Sequence, residues 1–254
     1  MAGGKRVLLA GESWIMHTIH QKGFDSFTTT AYGTGHGWLQ QSLEDGGWEF
    51  THLPNHLASE QFPTTLDELG AYDVVILSDI GTNTLLLAPA TFDKGQTTPN
   101  RLTLLREWVA GGGGLVVVGG YLTFQGIEGK GRYAGTAVED ALPVTILPYD
   151  DRVELPEGVA PQVTAPDHPL ALDLPETWPA ILGYNRLLPR GEGTVVATAG
   201  HDPLLVGWQY GHGRAVAFAS DCGPHWAPPE FVAWDGYATL WQNIAAWASG
   251  QAPR

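Results

Sequence analysis

Five side chains capable of chemistry stand directly after short apolar runs. Glu12 follows Val7–Ala10 and Gly11, Asp79 follows Val74–Leu77 and Ser78, and Tyr121 follows Leu115–Val118 and two glycines. Cys222 and His225 come after the run ending at Ala219 and the pair Ser220-Asp221. Carboxyl and imidazole groups move protons, a thiol beside an imidazole is a sulfur nucleophile, and all three types bind metals. If the apolar runs are parallel strands of an open sheet, their carboxyl ends form one rim, where loops converge and ligands bind. Serines and acids after strands also cap helices, the ordinary role for Ser13 and Asp79 taken singly; convergence of all these groups is what favours a site.

Three chemistries fit these residues. In the first, Cys222 is a nucleophile with His225 as its base. In the second, Cys222 and His225 join His17 or His20 and an acid around a divalent metal. The stretch His17-Thr18-Ile19-His20 sets its two imidazoles on one face if it is helical, and a metal-bound water would then do the work. No motif requires a metal or any other cofactor. In the third, a pocket takes a small polar metabolite such as a sugar or amino-acid derivative. Glu12, Trp14, His20, Lys22, Asp79, Asn83, Tyr121, Gln125, Lys130, Arg132, Asp221 and His225 supply its polar and stacking groups. Lys22, Lys130 and Arg132 carry weight because the chain has only 13 basic residues, and a cation beside carboxylates binds an anionic group or tunes an acid. The sequence Asp150-Asp151-Arg152 reads as a surface turn with a local ion pair, and the glycine-rich stretches lack the lysine and hydroxyl of a phosphate loop.

The elements that must position these groups alternate between strand and helix. Strands are predicted at "KRVLLAG", "WEFTHLP", "DVVILSD" and "LVVVGG", with helices at "WLQQSLEDGG", "TTLDELGAY" (capped by Thr64 or Thr65) and "NRLTLLREWVA", the last ended by four glycines. Prolines and turn signals crowd about 142–190, which predicts a β-rich insertion. "TVVATAG", "PLLVGWQY" and "RAVAFASD" resume strand character, the last two joined at "GHG" as a hairpin. "YATLWQNIAAWA" closes the chain as a helix with Tyr237, Leu240, Trp241, Ile244 and Ala248 on one side and Trp247 beside them. The expectation is a single α/β domain over 1–254 with a mostly parallel central sheet.

The runs "GESW", "HQKGFDSF", "FPTT", "YDVVILSDIGTNTLLL", "GGYLTFQGIEGKGRY", "VEDALPVTILPYDDRVE", "LGYNR" and "SDCGPHWAPPEFVAWDGYATLW" together resemble the glutamine amidotransferase-like family, cytosolic proteins of the class I glutamine amidotransferase superfamily. The resemblance spans nearly the whole chain and implies a flavodoxin-like three-layer sandwich. "GRAVAFASDCGPH" is more distantly similar to the trehalose-utilisation (ThuA-like) family. Two departures bear on activity. The superfamily's nucleophilic cysteine sits at a strand-to-helix elbow, and Tyr121 stands at that place here. Its histidine and glutamate two residues apart are replaced by His225-Trp226-Ala227. What the resemblance implies is therefore the fold and a site at the rim, without glutamine hydrolysis by the usual triad. The expected function is a hydrolase or lyase acting on a small polar metabolite, or a catalytically silent binding or assembly module.

Composition excludes other classes. With 13 basic against 27 acidic residues the net charge is −14, which repels a phosphate backbone, so no nucleic-acid partner is expected. No apolar run is long enough to span a bilayer, and "MAGGKRVLLAGE" lacks the apolar region of a signal peptide, so a cytoplasmic protein is expected. One cysteine, Cys222, allows no internal disulfide, and ten tryptophans point to self-association as well as core packing.

Overall fold

The computed structural model describes residues 5–250, so Met1–Gly4 at the start of the opening stretch lie outside the described residues. Among the described residues fourteen strands occur in chain order: β1 Lys5–Gly11, β2 Ser13–Lys22, β3 Asp25–Thr34, β4 Trp48–Leu53, β5 Val74–Ser78, β6 Gly114–Val118, β7 Val144–Ile146, β8 Arg152–Val159, β9 Gln162–Val163, β10 Ile181–Asn185, β11 Leu187–Pro189, β12 Thr194–Ala199, β13 Asp202–Tyr210 and β14 Gly213–Phe218. Eight of them form the central sheet in the order β4-β1-β5-β6-β14-β13-β12-β9. The first five run parallel, and the remaining three each pair antiparallel with the strand before them in the sheet. The result is an α/β fold of flavodoxin-like order with a β-rich second half.

Local sequence explains these elements. β5 and β6 are continuous apolar runs because helices cover both faces of the sheet, and every residue of both strands is buried. Asn100 caps helix Arg101–Ala110 by accepting from the Leu102 and Thr103 amides at 3.0 and 3.2 Å. That helix buries Leu102, Leu105, Trp108 and Val109, and truncating Leu105 to alanine would cost on the order of 2–5 kcal/mol. Thr65 caps a helix of one turn, Leu66–Leu69. The closing helix Gly236–Ala248 buries all six of its predicted core residues and packs on helix Gly37–Asp45. Gly211 and His212 make the two-residue turn between β13 and β14.

The turn-rich stretch forms the paired strands β8–β10 and β7–β11, while β9 extends the sheet edge. One element differs from expectation. The segment holding His17 and His20 is not helical: β2 and β3 pair in antiparallel register from Ser13↔Thr34 to Lys22↔Asp25 as a ten-residue hairpin, exposed on both faces. Residues three apart on a strand face opposite ways, which removes the shared face that a common metal site would need.

Candidate active site

The sheet order reverses direction at β1, between β4 and β5. Right-handed crossovers then send successive helices to opposite faces and leave a crevice at the carboxyl ends of β1 and β5. Glu12 and Asp79 stand there side by side, because Gly11 pairs with Ser78. Both have a left-handed backbone, with φ of 47° and 46°. Non-glycine residues rarely hold this conformation, which costs of order 1–3 kcal/mol and concentrates at functional sites. Gly11 makes the approach feasible: a Cβ there would lie 1.7 Å from the Ser78 carbonyl oxygen. The Glu12 amide donates to that same oxygen at 3.0 Å.

Glu12, Trp14, Gly35, Asp79, Tyr121, Asp221, Gly223, Pro224 and His225 surround a cavity of about 220 Å³. The Ser78 hydroxyl donates to Glu12 Oε1 at 2.5 Å and lies 3.8 Å from Cys222 Sγ. Burial and the neighbouring Asp79 charge push the Glu12 carboxyl up to about 7, against the Ser78 and Cys222 contacts that favour ionisation. Burial, then the Glu12 charge, raises Asp221 well above the ordinary carboxylate range. Asp79 is raised by burial, opposed by the Leu122 amide and by His225. His225 is shifted the other way, below an ordinary imidazole, because its ring is drawn out of water, with the Glu154 and Asp79 charges opposing. It meets the Tyr121 ring edge-on at 4.3 Å and stacks on Trp226 at 5.4 Å. Near neutral pH this leaves a carboxyl that still holds much of its proton and a neutral imidazole on one cavity.

Tyr121 is held from two sides. On one, Asp79 Oδ1 accepts from the Leu122 amide at 2.9 Å, while the Asp79 amide donates to Thr123 Oγ1 at 2.8 Å. On the other, Asn185 accepts from the Gly120 amide at 2.9 Å and donates to the buried Asp151 at 2.8 Å; Asp151 also accepts from the Gln125 and Gly126 amides. The Arg152 guanidinium sits 4.7 Å from the Tyr121 ring centre and pairs with Asp150 at 2.9 Å. Burial and the Glu154 carboxylate raise the phenol, so it stays protonated at neutral pH. Downstream of Tyr121 the chain turns through a loop with one 3₁₀ turn, Ile127–Gly129, and the next α-helix starts at Ala137. Tyr121 thus has no helix N-terminus behind it.

Six of the residues singled out from the sequence line the cavity: Glu12, Trp14, Asp79, Tyr121, Asp221 and His225. Cys222 lies beneath it, fully buried, its thiol raised by burial and by the Glu12 and Asp221 charges. The others sit elsewhere. His17 contacts Thr30 at 3.0 Å, His20 stacks on Phe27 and Lys22 lies at the hairpin tip, all on the exposed β2–β3 arm. Asn83 is exposed on helix Thr82–Leu86, Lys130 pairs with Glu128 at 2.5 Å, Arg132 is exposed, and Gln125 braces its own loop through Gly129. No lysine or arginine is among the cavity-lining residues, which removes the basis for an anion subsite built on Lys22, Lys130 and Arg132. Sequence reasoning missed Ser78 and Asn185 as supports of the site and took Asp151 for a surface residue. Arg152 was legible only as the ion-pair partner it also is.

The chain matches, over residues 6–250, the family described as "Putative glutamine amidotransferase". It belongs to that family. Two solved structures are similar along almost the whole chain, both titled cytoplasmic proteins of Salmonella typhimurium. STM3548 is 43% identical, with a TM-score of 0.93 over 98% of this chain and 99% of that one. STM1381, from strain LT2, is 43% identical, with a TM-score of 0.92 over 96% and 99%. A ThuA-like protein from Bacteroides uniformis shares the fold at 12% identity and a TM-score of 0.55, over 98% of this chain and 94% of that one. No curated protein matches the chain. Among the described residues no helix is long and apolar enough to cross a membrane.

Proposed function

We propose that the protein is a cytoplasmic enzyme of hydrolase or lyase type that acts on a small, uncharged polyhydroxylated metabolite by general acid–base chemistry. The observation that carries this reading is Glu12: a strained, buried carboxyl at the switch point of the sheet, facing a cavity and poised at about 7. A general acid works best with a pKa near the working pH. Carboxyl groups and imidazole accept and donate to hydroxyls, while Trp14 and Tyr121 offer apolar faces, a combination suited to a sugar-like ligand.

In hydrolysis, water adds to the electrophilic carbon as neutral His225 takes its proton. The bond to the leaving oxygen breaks and Glu12 supplies the proton that oxygen needs. A proton returned from His225 to Glu12 through water resets the site. In elimination, His225 takes the carbon-bound proton and Glu12 again protonates the departing oxygen. Cys222 serves as packing beneath Glu12 and Ser78 in this reading, since burial and two acids disfavour its thiolate. Tyr121 is a wall of the pocket, since its raised phenol is a poor nucleophile.

The test is consumption of pooled sugars and sugar derivatives, followed by mass spectrometry, by wild type, Glu12→Gln and His225→Ala. Loss of at least 100-fold in each variant is expected; activity that survives both substitutions would refute the assignment. The second reading, a silent binding module, is favoured by the lack of a competent nucleophile at Tyr121 or Cys222. Saturable stabilisation by a pool member without turnover would decide for it.

A further inference from the structure

The β2–β3 arm has no part in the acid–base chemistry, yet its surface is unusual for this chain. Of fourteen large hydrophobic residues exposed among the described residues, seven fall within Ser13–Thr34. Phe24 caps the tip, fully exposed, while Ile19 and Ile15 are 72% and 51% exposed. The cross-strand register puts Ile15, Ile19 and Tyr32 on one face and Met16 and Phe27 on the other, so neither face is a solvent face. An isolated two-stranded hairpin is marginal in water, and beyond its own pairing this one has its main packing contact at the root, against helix Asn55–Gln61.

We propose that the arm is an assembly device whose occupant is a second copy of this chain, each copy laying its arm against the other. Charge selects that occupant. The chain carries −14 overall, so two copies repel unless they meet through uncharged surface. Ser13–Thr34 is that surface: its only full charges are Lys22 and Asp25, which cancel and stand opposite each other in the register of the arm. A basic partner would seek the acidic body, and an anionic lipid surface would be repelled by it. Area agrees. A ten-residue hairpin is about 33 Å long and ~10 Å wide, so its two faces offer roughly 700 Å². A stable interface takes about 800 Å² from each partner, and mutual exchange of arms supplies more than that.

The arm is also continuous with the cavity. It begins at the residue after Glu12, the Gly35 amide just past its end donates to the Glu12 carbonyl, and Trp14 at its root lines the pocket. Holding the arm in a partner therefore fixes one wall of each pocket.

Light scattering on the purified full chain at about 50 μM tests this. The expected result is a mass of at least two 27.3 kDa chains. The double variant Ile19→Asp, Phe27→Asp is expected to halve a dimer's mass with an unchanged circular dichroism spectrum. A monomeric wild type, or a variant that keeps its mass, overturns the proposal. A monomer that instead co-sediments with phosphatidylcholine vesicles overturns it in favour of lipid. Should the double variant fail to fold, Ser26→Cys carries donor and acceptor dyes on the exposed arm while Cys222 stays buried. Energy transfer after mixing the two labelled pools is expected, and its absence overturns the proposal.

Discussion

At the scale of single residues, the site is a set of acids whose surroundings push them upward and an imidazole pushed downward. Glu12 holds its proton to about 7, and His225 loses its own below the usual imidazole value. The rate is therefore expected to be bell-shaped in pH, falling above about 7 as Glu12 ionises and falling on the acid side as His225 protonates. Replacing His225 with alanine should remove the acid limb from whatever turnover remains, read from kcat/KM against pH. Cys222 is expected to stay inert to thiol reagents in the native state, and Cys222→Ser to keep turnover within about tenfold. A stoichiometric adduct at Cys222 that abolishes activity would restore it as a nucleophile. Sequence alone named Glu12, Asp79, Tyr121, Asp221, Cys222 and His225 because each follows an apolar run; it left Cys222 open between a reactive thiol and a buried apolar side chain, and its burial comes from packing between strand ends far apart in the chain.

Elements determine whether those residues arrive in place. β1 and β5 set Glu12 beside Asp79, which requires Gly11 at φ 117° against the Ser78 carbonyl. Gly11→Ala is expected to cost several kcal/mol, as a lowered unfolding midpoint in urea, since both the backbone conformation and the space forbid a methyl. Asp151 ties the loop after Tyr121 to β10 through Asn185, and Asp151→Ala strands three donors. A loss of about 3 kcal/mol and a disturbed Tyr121 are expected from denaturant unfolding and from weakened ligand binding. The parallel strands were legible because covered strands are unbroken apolar runs; of the two threonines expected to cap the short helix, Thr65 does so, while the Asn100 cap was not read from the sequence. The β2–β3 arm was not, because its apolar residues fall on both faces and give no one-sided period. Its available signal was Gly23-Phe24 between paired ten-residue stretches, with Gly23 at φ 64° in the first turn position.

For the whole molecule, net charge and the lining of the cavity point the same way: a chain of −14 whose pocket is lined by three acids and, among the described residues, by no lysine or arginine, with the Arg152 guanidinium behind Tyr121 already paired to Asp150, suits an uncharged ligand over an anionic one. Neutral polyols are expected to raise the melting temperature where sugar phosphates do not. The proposed chemistry requires Glu12 to exchange its proton near neutrality inside the fold, and global stability reports that exchange. An unfolded glutamate ionises near its ordinary 4.5, whereas folded Glu12 stays protonated to about 7. Its contribution is fully present below 4.5, is lost as pH rises through 7, and amounts to about 3 kcal/mol. Unfolding free energy measured for wild type and Glu12→Gln between pH 4.5 and 8 tests this most directly. The predicted result is a variant that gains about 3 kcal/mol on wild type across that range, with most of the change complete by pH 7. A difference that stays constant with pH would mean that Glu12 titrates like an ordinary carboxylate, and would contradict its proposed role as the proton donor.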